Sequence, residues 1–170
     1  MADTNTKYDI VVFGASGYTG RLVAEYLQGE YANTSLKWAM AGRSLDKLAS
    51  VRTALGIPDS VDLVSVDSDD AASVGQMVSD CKVVITTVGP YQLYGEELIK
   101  QCAEQGTDYV DLSGEPNWMH ETIAQHSAAA KASGARIVHS CGFDSIPFDL
   151  GVYCLQQHAI TQTGKPIATV

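Results

Sequence analysis

Short apolar runs rich in β-branched residues recur along the chain, and each is followed by a stretch whose apolar positions fall at helical spacing. The runs at 9–13, 36–41, 61–66, 83–88, 109–112 and 136–140 read as strands of a parallel sheet covered on both faces. The intervening segments 19–28, 44–55, 71–79, 96–104 and 118–132 read as crossover helices; in the first, Leu22, Val23, Tyr26 and Leu27 make one apolar face. Thr19 and Ser44 are expected to cap helix starts, with Asp46 placed early where the helix dipole favours a negative charge. Gly29, Gly56, Gly106 and Gly134 are expected to stop helices. This alternation, with no internal repeat, predicts an α/β fold: a Rossmann-type doubly wound parallel sheet with helices on both faces. Ligands of such sheets bind at the carboxyl ends of the strands, so functional residues are expected just after each strand.

Gly14-Ala15-Ser16-Gly17-Tyr18-Thr19-Gly20 follows the first strand directly and opens the first helix. The turn needs glycine at position 14, pyrophosphate can approach the backbone where Gly17 carries no side chain, and Gly20 permits close helix packing. The helix start then offers free N–H groups to phosphates. Glycines at this spacing also occur in plain turns; the strand before and the helix after make this a dinucleotide-binding loop, all seven residues at the cofactor. The G-x-x-G-x-x-G spacing is one residue longer in its turn than G-x-G-x-x-G and resembles the extended and atypical relatives of the short-chain dehydrogenases.

The residue after the second strand selects the cofactor. An acidic group there accepts from the ribose 2′-hydroxyl of NAD, whereas a basic group takes the 2′-phosphate of NADP. The chain offers Arg43 and Ser44, with Lys47 one turn further on, so NADP is expected and NAD disfavoured. Asp67, after the third strand, can accept from the adenine amino group or serve as a helix cap. Val88, Gly89 and Pro90, after the fourth, allow the backbone close to the cofactor ribose.

Composition narrows the function class. The 170 residues suit one domain, and 45% hydrophobic residues suffice for a packed core. A net charge of -9 excludes general binding to nucleic acid. The four cysteines, Cys81, Cys102, Cys141 and Cys154, form no C-x-x-C pair, so neither a disulfide framework nor a metal site is expected. The polar first residues carry no leader-like apolar segment, and no run approaches about 18 apolar residues. A cytoplasmic location is the expectation, with membrane association through further chain left open.

The acid–base chemistry is less visible. No Tyr-x-x-x-Lys pair occurs, so the couple used by short-chain dehydrogenases is absent. His120-Glu121-Thr122-Ile123-Ala124-Gln125-His126 is not H-E-x-x-H, and His120, His126 and His158 are expected at the surface, with His139 in the core or at a pocket edge. The sixth strand leads into Cys141-Gly142-Phe143-Asp144-Ser145-Ile146-Pro147, a turn suited to walling a nicotinamide pocket. Asp144 there is either a polar contact near the nicotinamide or a turn-forming carboxylate.

The glycine loop, Ala41-Gly42-Arg43-Ser44, Thr86-Thr87-Val88-Gly89-Pro90-Tyr91, Tyr109-Val110-Asp111-Leu112-Ser113-Gly114-Glu115 and the turn after the sixth strand together resemble the saccharopine dehydrogenase-like oxidoreductases, especially the branch of trans-acting enoyl reductases. The resemblance implies a disordered tail over 1–7, an NADP-binding domain over 8–160 and, from 161–170, the start of a truncated second domain that shapes the substrate pocket. It implies hydride transfer between NADPH and an unsaturated, imine or carbonyl substrate, small or lipid-like, with homodimerisation left open. It implies that Tyr91, Asp111, Glu115 and Asp144 face the cleft, with Tyr91 and Asp144 the catalytic candidates and Cys141 and Phe143 against the cofactor. The alternative is a non-catalytic NADP-binding module that senses redox state and signals to a protein partner.

Overall fold

The computed structural model describes residues 6–169. Its strands are β1 (Tyr8–Phe13), β2 (Trp38–Gly42), β3 (Asp62–Ser65), β4 (Cys81–Thr86), β5 (Asp108–Val110) and β6 (Ile137–Val138). Helices α1 (Tyr18–Tyr31), α2 (Leu45–Ala54), α3 (Ala71–Ser79), α4 (Tyr91–Tyr94), α5 (Glu96–Gln105) and α6 (Pro116–Ser133) lie between them, and α7 (Ile146–Thr163) follows β6. All pairings are parallel, in the order β3-β2-β1-β4-β5-β6. This is the Rossmann order, and the chain reverses direction across the sheet between β1 and β4.

The apolar strands are explained by burial on both faces. Along β1, Val11 and Phe13 pack on one side with Val74, Leu98, Ile99 and Trp118 of α3, α5 and α6. Val12 points to the other side, with Ala24, Leu27, Leu48 and Val51 of α1 and α2. β2 divides the same way, Ala39 and Ala41 against Trp38 and Met40. Each fully buried side chain of this size contributes about 1.5–3 kcal/mol.

Several local expectations are corrected. The N-cap of α1 is Gly17, with no side-chain bond, and Thr19 lies inside the helix. α1 also runs through Gly29 to Tyr31, because glycine in negative-φ helical geometry is only a mild cost. Ser44 does cap α2, its hydroxyl accepting from the Lys47 amide at 3.3 Å. Gly56, Gly106 and Gly134 take the left-handed conformation just past α2, α5 and α6.

Two of the expected domain limits fall on ordered segments. The expected tail over 1–7 lies outside the described residues for 1–5, but Lys7 is fixed by an ion pair to Asp62 at 2.9 Å. The division at 160/161 falls inside α7. Ile167 folds back on that helix, its amide and carbonyl both bonded to the Gln156 side chain at 2.9 and 3.0 Å. Among the described residues, no helix is long and apolar enough to cross a membrane.

Candidate cofactor site at the carboxyl edge of the sheet

At the carboxyl ends of β1, β2 and β4 the structure holds a cavity of about 270 Å³. The glycine loop forms its floor. Gly14 has φ +89°, and a Cβ there would lie 2.7 Å from Thr87 Oγ1 and 2.9 Å from Val88 Cγ2. A Cβ on Gly20 would strike the Gly14 carbonyl, so these two glycines let α1 start directly beneath the loop. Ala15 is buried under the turn, while Ser16 and Gly17 line the cavity. The amides of Ser16, Tyr18, Thr19 and Gly20 have no backbone acceptor among the described residues, which makes them donors for a diphosphate. Tyr18 is largely exposed and Thr19 half-buried, so the contribution of both is their amide rather than their side chain.

The opposite wall carries the positive charge. Arg43, Ser44 and Lys47 line the cavity, and neither cation is paired with a carboxylate among the described residues. The Ser44 oxygen accepts the Lys47 amide and keeps its hydrogen to donate. Two cations and a hydroxyl on one rim fit a 2′-phosphate, and no acidic group there competes for a 2′-hydroxyl.

The third wall is the chain leaving β4. Thr87, Val88 and Gly89 line the cavity, and Pro90 follows them into α4 without reaching it. The Thr87 amide donates to the Phe13 carbonyl at 2.9 Å, which extends the strand pairing up to the site. Tyr94 and Ser68 also line the cavity, and sequence reasoning passed over both. Only Tyr94's position one turn beyond the glycine-proline pair could have marked it.

Other expected site residues lie elsewhere. Asp67 is not on the cavity wall; its Oδ1 accepts the Asp69 amide at 3.1 Å, and Asp70 caps α3 instead. Tyr91 is buried, its hydroxyl donating to the Thr86 carbonyl at 3.2 Å and accepting from the Leu112 amide at 3.3 Å. Burial pushes its phenol up to about 12, so it is locked as a structural donor rather than aimed into a cleft. Asp111 is buried and saturated with donors, and both Glu115 oxygens take amides of α4. Cys141, Phe143 and Asp144 lie on the turn after β6, outside this cavity; Phe143 is 83% exposed. His126 is half-buried, its side chain 14% exposed, and it pairs at the surface with Glu96 at 2.7 Å.

A larger depression of about 480 Å³ lies near the amino ends of the strands, bordered by Lys7, Tyr31, Trp38 and Asp62. Its Lys7 is already paired with Asp62, and it lies away from the edge where doubly wound sheets take ligands. Among the described residues no cluster of histidine, cysteine or acidic groups could hold a metal ion.

Sheet order, glycine loop and cationic rim define a dinucleotide-binding domain built for NADP. Residues 10–138 match the family model of the saccharopine dehydrogenase NADP-binding domain, and the chain belongs to that family. Over 168 residues it is 42% identical to a trans-acting enoyl reductase of Mycobacterium leprae, a match covering 97% of this chain and 40% of that protein. It is also 42% identical over 159 residues to a lipid droplet localized protein of Caenorhabditis elegans, covering 90% of this chain and 37% of that protein. The chain thus spans about two fifths of these relatives' length. A solved apo saccharopine dehydrogenase (L-Glu forming) from Saccharomyces cerevisiae shares the fold, with a TM-score of 0.72 at 19% identity, over 92% of this chain and 32% of that one.

Proposed function

We propose that the protein takes part in NADPH-dependent reduction of a conjugated carbon–carbon double bond in an acyl substrate. The observation that carries the cofactor half is the glycine loop facing the unpaired Arg43 and Lys47 across one cavity. The relatives named as trans-acting enoyl reductases support the substrate class over the imine and carbonyl alternatives. NADPH, when bound, supplies a hydride to the β-carbon; a proton at the α-carbon completes the saturated acyl product and leaves NADP⁺. The chain's own part is to hold the diphosphate on loop amides and the 2′-phosphate on Arg43, and to fix the wall after β4.

The substrate side is supplied by a second domain packed against α7. Phe148, Leu150, Tyr153 and Leu155 are exposed on that helix, and Asp149 is its only residue of the Asp, Glu, Lys and Arg group. A helix apolar on all sides is a buried helix, whereas one lying on a lipid surface pairs an apolar face with a basic one. Asp149 apart, the first half of α7 is apolar around its circumference and the whole helix carries no lysine or arginine, which favours protein rather than lipid as its cover.

The test is NADPH oxidation by the full-length protein with an enoyl thioester, a cyclic imine and a ketone. Turnover of the thioester is the expected result, and turnover of the imine or ketone alone reassigns the substrate. A second reading, a redox-sensing module acting on a protein partner, is favoured by one observation: among the described residues, the cavity lining contains no carboxylate or imidazole. Tight NADPH binding with no oxidation of any substrate would select it.

A further inference from the structure

We propose that Glu115, which lies outside the cofactor cavity, is the positioning residue that fixes the cavity's third wall; this rests on the cofactor reading above. The wall consists of Thr87, Val88, Gly89 and Tyr94, and Tyr94 is the last residue of the α4 turn that follows the first three. A helix of four residues cannot hold itself, since its first amides have no acceptor within it. Glu115 supplies the acceptors from 24 residues away: Oε1 takes the Tyr91 amide and Oε2 the Gln92 amide, each at 2.8 Å. Both are charge-assisted bonds, and a carboxylate is the favoured sign at a helix start.

The carboxylate is itself held in place. The Glu115 amide donates to Ser113 Oγ at 3.1 Å, and the Ser113 amide donates to Asp111 Oδ1 at 2.9 Å. Beneath α4, the Tyr91 ring stacks on Trp118 at 5.5 Å, and a Cβ on Gly95 would lie 2.5 Å from Trp118 Cζ2. The segment is thus anchored at one end by the Thr87 amide on β1 and at the other by Glu115. Among the described residues no backbone carbonyl accepts the Tyr91 or Gln92 amide, so this side chain, together with the Tyr91 hydroxyl bonds and the Trp118 stack, sets the loop's path over the cavity. The same contact sets where Tyr94 stands on the cavity wall.

Calorimetric titration of the full chain with NADPH tests this, for the unmutated protein, Glu115→Ala and Glu115→Gln, together with amide hydrogen exchange. Glu115→Ala should raise the Kd about tenfold, equivalent to about 1.4 kcal/mol. Faster exchange should be confined to residues 87–95. Glu115→Gln keeps the shape and one acceptor oxygen, and should recover part of the affinity and the protection. An unchanged Kd despite faster exchange overturns the proposal. So does faster exchange spreading into β1 and β2, which makes Glu115 a residue of the fold at large. If the unmutated chain itself fails to bind NADPH, the cofactor reading falls first and this inference with it.

Discussion

Asp111 and His139, 28 residues apart, meet at 2.7 Å between Oδ2 and Nδ1 where β5 and β6 end. The same carboxylate accepts the Tyr109 hydroxyl at 2.8 Å and, through Oδ1, the amides of Ser113 and Ser140 at 2.9 and 2.8 Å. Ser140 is the one non-glycine residue with a left-handed backbone among those described, at φ +58°. Such a conformation persists only where its surroundings over-determine it, and the Asp111 bonds do so here. The turn toward Cys141 and α7 leaves the sheet from this node.

Removing that carboxylate should be costly. Asp111→Ala leaves four donors, two buried and two partly buried, without their acceptor, and a loss of about 3–5 kcal/mol is expected, measured by urea unfolding. Burial pushes the Asp111 carboxyl up, but the bonds from His139, Ser113, Ser140 and Tyr109 together outweigh it and hold it below the ordinary value of 3.8. A depressed folded value means its stabilisation is fully present above 3.8 and is lost as pH falls through the folded value. Asp111→Asn should therefore lower stability at neutral pH and flatten the acid limb of the stability curve. An acid limb identical to that of the unmutated chain would remove Asp111 as its source.

Two glycine substitutions separate a site requirement from a helix propensity. Gly14→Ala puts a Cβ on a left-handed residue and into Thr87 and Val88, so NADPH binding should be lost and stability should fall by about 1–3 kcal/mol. Gly29 lies inside α1 with open space around it. Gly29→Ala should stabilise the chain by about 0.5–1 kcal/mol and leave NADPH affinity unchanged. Paired thermal unfolding and titration of the two variants decide the matter.

Cofactor choice should reside in Arg43. Its guanidinium lines the cavity with Lys47 and has no acidic partner among the described residues, so it is available to a phosphate. A charge-assisted bond is worth about 1.5–3 kcal/mol, and Arg43→Ala should weaken NADPH binding by about ten- to a hundredfold while sparing NADH. Equal losses for both cofactors in calorimetry would place the 2′-phosphate elsewhere.

What could be read in advance was whatever is encoded locally. The turn from Phe13 through Gly20, the Ser44 cap and the stops at Gly106 and Gly134 each depend on a few adjacent residues whose backbone demands are specific to their type. The hydrogen-bond partners of Tyr91, Asp111 and Glu115 are not legible in the sequence for the opposite reason. Each follows a strand, as site residues do, but each has partners 21 to 29 residues away on other elements. Nothing in an isolated carboxylate says whether it will meet a ligand or an amide. α7 was missed because its apolar residues leave no polar face to reveal a helical period, and Pro147 and Gly151 read as breakers. Pro147 in fact sits in the first turn, where proline is tolerated.

That helix also governs how the 170-residue chain behaves alone. Phe148 is 69% exposed, Tyr153 60% and Leu150 51%, and Phe143, on the turn before the helix, is 83% exposed. Large apolar side chains exposed in this number are covered by another chain segment or drive association. The 170-residue chain by itself should therefore self-associate in a concentration-dependent way, seen as a rising mass in sedimentation. The double substitution Phe148→Ser and Tyr153→Ser removes two of the largest exposed groups and no core contact, since Ala159 is the one buried residue of α7. The variant should be monomeric at the same concentrations, with an unfolding midpoint close to that of the unmutated chain. In the full-length protein the same pair should instead lower stability, because there the rings would be packed. Equal behaviour in the short and long forms would show that nothing covers α7.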